Sequence, residues 1–139
     1  MFKSILLAYD GSENAIRAAE KVAEIASVTA DSLVTIVYVI DSKVSKEDVL
    51  HYSSKEEVNE KRRQRLQKVE DLMNSKGIAF NHELLYGEAA ETVVDYANSH
   101  NFDLVAAGSR GLNSLQEMVL GSVSHKIAKR VKAPVLIIK

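Results

Sequence analysis

The sequence predicts an α/β fold, a doubly wound, five-stranded parallel sheet in one domain spanning residues 1–139, with helices on both faces. Three observations predict it. Continuous apolar runs rich in β-branched residues recur along the chain, as strands buried on both faces require. Stretches of helical periodicity separate these runs, so the order reads β-α-β-α-β-α-β-α-β, the order of a parallel sheet with crossover helices. The length of 139 residues suits one domain and buries roughly 70% of the surface of the unfolded chain.

The elements follow in order. Ile5-Leu6-Leu7-Ala8-Tyr9 is the first strand. Ala15, Ala18, Ala19, Val22, Ala23 and Ala26 then recur at helical spacing with Arg17, Glu20, Lys21 and Glu24 opposite them, and Ser12 is placed to cap this helix. Leu33 to Ile40 is the second strand. Asp41 to Ser54 is the least regular stretch and reads as an exposed connection with room for a short helix around Lys46, Glu47 and Asp48. From 54 to 76 the chain is highly charged, with a thin apolar stripe of Val58, Leu66, Val69, Leu72 and Met73 and a stop at Gly77. Phe80 to Leu85 alternates, as expected of a half-exposed edge strand. Ala89, Ala90, Val93, Val94 and Ala97 mark a third helix, Asp103 to Ala107 a fourth strand, and Leu120, Val123, Ile127 and Val131 a fourth helix. Pro134 then opens a last strand, Val135-Leu136-Ile137-Ile138.

Composition excludes several functions. Hydrophobic residues make up 46% and charged residues 27%, with a formal net charge of −1, which gives no bulk attraction to nucleic acid or anionic lipid. Cysteine is absent, so disulfides and thiolate metal sites are excluded, and the composition suits a reducing cytoplasm. The apolar run at the N-terminus is too short for a signal peptide, and no run approaches the roughly 18 apolar residues of a membrane span. His51, His82, His100 and His125 lack metal-ligand spacing. There is no P-loop, and Asp10-Gly11-Ser12-Glu13-Asn14 lacks the dinucleotide glycine pattern. Lys61, Arg62, Arg63 and Arg65 alternate with Glu56, Glu57, Glu60, Glu70 and Asp71 and read as a solvated helical face.

Open α/β sheets bind ligands beyond the carboxyl ends of their strands, where the strand order reverses. With strands one and four as neighbours at that point, Asp10-Gly11-Ser12 faces Gly108-Ser109-Arg110-Gly111 across one crevice. After nine intervening residues, Gly121-Ser122-Val123-Ser124 opens the last helix. Glycines clear the way for backbone N–H groups to reach phosphate oxygens. A helix N-terminus adds free donors and a partial positive charge worth roughly 0.3–1 kcal/mol to an anion. Ser109, Ser122 and Ser124 offer hydroxyls and Arg110 a guanidinium. Each glycine alone reads as a turn and each serine as a cap. The pairing of the two groups at the switch point favours an anion site. Asp10 would repel phosphate and belongs at the nucleoside end, accepting from a ribose hydroxyl or a base amine.

Tyr9-Asp10-Gly11-Ser12, Val37-Tyr38-Val39-Ile40-Asp41, the spacing Gly-x2-Gly-x9-Gly-Ser and Ala133-Pro134-Val135-Leu136-Ile137-Ile138 together resemble the universal stress protein family, from Lys3 to Lys139. The resemblance implies sheet order 3-2-1-4-5 and, through the spaced glycines, membership of the branch that binds ATP. It implies that Ala8, Tyr9 and Asp10 line the nucleoside end and that Val39 holds the adenine. Gly108, Ser109, Arg110 and Gly111 would wrap the ribose and phosphates. Gly121, Ser122, Val123 and Ser124 would close around the phosphate chain with Mg²⁺ or Mn²⁺. It also implies a homodimer paired through the last strand, Val135 to Ile138, whose exposed apolar edge needs cover.

Two function classes remain at this level. One is a nucleotide-binding sensor or regulator of stress responses, whose occupied site fixes the 109–121 loop and thereby a partner surface. The other is a slow ATPase or self-phosphorylating enzyme with Ser122, Ser124 or His125 as acceptor. The sequence offers phosphate donors but no general base, which favours binding over turnover and assigns no catalytic residue. A dimerisation scaffold with an empty site is the weaker third reading, opposed by the intact glycine motif.

Overall fold

The computed structural model describes residues 2–40, 55–110 and 121–139. The expected connection from Asp41 to Ser54, His51, Gly111 and Leu120 lie outside the described residues. The elements are β1 (Ser4–Tyr9), α1 (Glu13–Ser27), β2 (Leu33–Ile40), α2 (Lys55–Ser75), β3 (Phe80–Tyr86), α3 (Ala89–Ser99), β4 (Leu104–Gly108), α4 (Ser122–Arg130) and β5 (Val135–Ile138). All strand pairs are parallel, and the sheet runs β3-β2-β1-β4-β5. This is the class expected from the sequence patterns and the order that the resemblance implies.

The continuous apolar runs are explained by two covered faces. On one, Ile5, Leu7, Tyr9, Val34, Ile36, Tyr38 and Ala106 pack under α1 and α2; on the other, Leu6, Val37, Val105 and Ala107 pack under α3 and α4. The inward positions of α1 are small (Ala15, Ala18, Ala19, Val22, Ala23, Ala26), which lets the helix lie close to the sheet. Ser12 caps it, its hydroxyl oxygen accepting from the Ala15 N–H at 3.2 Å.

Of the thin stripe read from the sequence, the long helix α2 buries Val58, Val69 and Met73 fully, and Leu66 and Leu72 pack against the core partly buried. It ends where Gly77 takes a positive φ of 67°. The Ile78 N–H bonds the Met73 carbonyl at 2.9 Å and the Gly77 N–H bonds that of Asn74 at 3.1 Å, a double closure that satisfies the last carbonyls of the helix. β3 is an exposed edge strand, with Leu84 and Tyr86 on its surface. Helix α3 is capped by Glu88, whose carboxylate accepts from the N–H groups of Ala90 and Glu91 at 3.3 and 2.9 Å. Among the described residues no helix is long and apolar enough to cross a membrane.

Candidate functional site

The chain leaves the neighbouring strands β1 and β4 in opposite directions. After β1 it turns onto the α1–α2 face, and α4 follows β4 on the other. A crevice lies at this divergence, over the carboxyl ends of the strands. Its floor is shallow-chained. Ala8 stands in register with Ala107 of β4 and with Val37 of β2, and all three line the crevice. Two alanines side by side leave the space that larger residues would fill. Ala89 and Val93 of α3 and Val123 and Ile127 of α4 form the apolar walls.

The rim is polar. Asp10 lines it, and its Oδ1 accepts from the Ser12 N–H at 2.9 Å, closing a turn through Gly11, whose φ is +86°. Opposite lie Gly108, Arg110 and Ser124. The Gly121 N–H donates to the Ser109 carbonyl at 2.7 Å, and the Ser124 hydroxyl donates to the Gly108 carbonyl, so the start of α4 is tied to the end of β4. Gly121 is the N-cap of α4 and supplies no side-chain cap. The first helical bond runs from the His125 N–H to the Gly121 carbonyl at 2.9 Å. The N–H groups of Ser122, Val123 and Ser124 therefore have no acceptor within the helix and carry the positive end of its dipole.

Of the residues expected from the sequence, Ala8, Tyr9, Asp10, Val39, Gly108, Arg110, Val123 and Ser124 come together around this crevice. Gly121 and Ser122 sit at the head of α4. Two side chains turn elsewhere. Tyr9 alternates with Ala8, so its ring packs on the α1–α2 face, 6.4 Å from the Tyr38 ring, and its hydroxyl donates to the Arg65 carbonyl at 2.7 Å. Burial first, and then the charge of Asp10, raises the Tyr9 phenol above its ordinary value. The Ser109 hydroxyl is buried against α1, where it accepts from Asn14 Nδ2 at 3.0 Å.

The sequence reading missed Ala15, Val37, Ala89, Val93, Ala107 and Ile127 as lining residues. Signals for some of them were present. Val37 lies two residues before Val39 on the same strand face, and Val93 and Ile127 lie one helical turn beyond Ala89 and Val123. The described histidines lie off the crevice lining or serve the surface: His82 pairs with Glu70 at 3.2 Å, and His100 stacks on Tyr96 with ring centroids 4.1 Å apart. No group of three potential metal-ligating side chains occurs among the described residues.

Comparison with known proteins agrees with this architecture. A universal stress protein of Thermus aquaticus, that in the QAH/OAS sulfhydrylase 3′ region, is 34% identical over 141 residues, covering 100% of both chains. The solved structure of protein MJ0577 of Methanocaldococcus jannaschii superposes with a TM-score of 0.84 at 27% identity, covering 100% of this chain and 96% of that one. A universal stress protein family protein from Arabidopsis thaliana, solved with AMP bound, shares the fold at a TM-score of 0.70 and 20% identity, covering 99% of this chain and 91% of that one. The sequence model of the universal stress protein family matches residues 1–139, and the chain belongs to that family.

Proposed function

We propose that residues 1–139 form one nucleotide-binding domain that holds an adenine nucleotide, ATP by preference, as a cytoplasmic sensor or regulator of stress responses. One observation carries the reading: an apolar slot at the switch point has a carboxylate turn at one end and an uncapped helix N-terminus at the other. The slot over Ala8, Val37, Val39 and Ala107 suits a flat base, and Asp10 suits the nucleoside hydroxyls or base amine. Ser122, Val123 and Ser124 offer backbone N–H groups to the phosphates, and Arg110 offers its guanidinium. AMP bound to the Arabidopsis protein on the same fold supports the ligand class. Mg²⁺ or Mn²⁺ would arrive on the phosphates, since small hard cations are commonly held by substrate phosphates with few protein ligands.

Binding is favoured over turnover. Asp10 is the one carboxylate among the described residues lining the crevice, and one of its oxygens already holds the Ser12 N–H. The Ser124 hydroxyl is committed to the Gly108 carbonyl. The reading extends to a homodimer through the outer edge of β5, whose Val135, Leu136, Ile137 and Ile138 are all partly exposed.

Thermal unfolding with and without Mg-ATP tests the site. Ligand at about 100 times its Kd stabilises by roughly 2.7 kcal/mol, which raises the midpoint by several degrees. No shift at millimolar Mg-ATP, together with no nucleotide in an acid extract of the purified protein, would contradict the proposal.

A further inference from the structure

Asn14 breaks the pattern of its own helix. Every other buried position of α1 is Ala or Val, yet Asn14 is buried among them at 5% exposure. Asparagine is a poor helix former, and a buried amide is costly unless it is bonded. Its bond crosses to the other side of the crevice, from Nδ2 to the Ser109 hydroxyl oxygen at 3.0 Å. The backbone meets there too. A Cβ on Gly108 would lie 2.8 Å from the Asn14 carbonyl carbon, so the start of α1 is pressed against the end of β4.

Ser109 carries this contact onward. Its N–H donates to the Ile138 carbonyl and its carbonyl accepts from the Gly121 N–H, both at 2.7 Å. A continuous brace thus runs from Asn14 through Ser109 to the N-cap of α4. The same first turn of α1 carries Ser12, whose N–H holds Asp10. One helix start therefore anchors both ends of the crevice.

We infer that Asn14 and Ser109 are a positioning pair, which sets the donors at the head of α4 relative to the Asp10 turn without the Ser109 hydroxyl touching the ligand. The inference rests on the adenine-nucleotide reading of the crevice. The Asn14–Ser109 bond is separate from the Ser12 N–H bond that holds Asp10 and from the strand ladder that sets the slot floor, so its loss is felt by the phosphates and not by the nucleoside.

Calorimetric titration of Mg-ATP and, separately, of adenosine into the parent, Asn14→Ala, Ser109→Ala and the double variant tests this. Mg-ATP affinity should fall about tenfold in each variant, as expected when one buried hydrogen bond is lost, while adenosine affinity holds. The double variant should lose no more than either single one. Ser109→Ala leaves the buried amide unpaired and should melt lowest, and the double variant should regain stability without regaining Mg-ATP affinity. A merely structural role would move both ligands together, or would return Mg-ATP affinity along with stability. An unchanged ratio of the two affinities would overturn the inference and leave the crevice reading standing. A parent protein that binds neither ligand would overturn both.

Discussion

Tyr9 shows how one side chain serves the site from behind. Its neighbours Ala8 and Asp10 line the crevice, while its ring is 3% exposed on the opposite face of the sheet and its hydroxyl is bonded to the Arg65 carbonyl of α2. The Arg65 stem in turn lies over Gly11, where a Cβ would come within 2.7 Å of Cδ. Because burial raises the Tyr9 phenol above its ordinary 10.0, the unfolded chain loses this proton at a lower pH than the folded protein does. The stability contributed by the neutral phenol is full below about pH 10 and is lost as pH rises beyond it. Tyr9→Phe should cost about 1 kcal/mol at neutral pH and flatten the decline above about pH 10, read by urea unfolding. An equally steep decline in the variant would assign the alkaline loss to other groups. The tyrosine was visible in the sequence next to Asp10, but its face was decided by strand parity. Likewise the Gly-x2-Gly-x9-Gly-Ser spacing was legible, whereas the pressure of Asn14 on Gly108 joins segments far apart in the chain and leaves no local signature.

At the scale of elements, the sequence carried most of the fold. Each strand and helix announced itself by period, by run length or by its punctuation at Ser12, Gly77 and Pro134. The Glu88 cap of α3 did not, because glutamate is not among the favoured N-cap residues. The register that sets Ala8 beside Ala107 was also hidden, since it depends on how β1 and β4 align and not on either alone. β5 is an edge strand whose Pro134 and Ile138 carbonyls accept from Val105 and Ser109 of the neighbouring chain segment. By alternation the backbone of Ile137 faces the open edge. Ile137→Pro removes an outward N–H and spares the β4–β5 ladder. Such a variant should be monomeric by light scattering where the parent is a dimer, and still fold. A dimeric Ile137→Pro protein would place the interface elsewhere.

In the whole molecule the crevice belongs to no single element. β1 and β4 give it small residues, α3 and α4 give it walls, and the reversal of strand order between β1 and β4 gives it an opening. Apolar volume, a carboxylate turn and free helical N–H groups coincide there, and this coincidence is the basis for assigning an adenine nucleotide to it. The most direct test is calorimetric titration of Mg-ATP into the parent and into Ala8→Leu, with thermal unfolding of both. Leucine at this position would occupy the floor of the slot and leave the rim untouched. The parent should bind, and Ala8→Leu should fold with a similar midpoint and show no binding. An Ala8→Leu protein that binds Mg-ATP like the parent would contradict the placement of the base in this crevice.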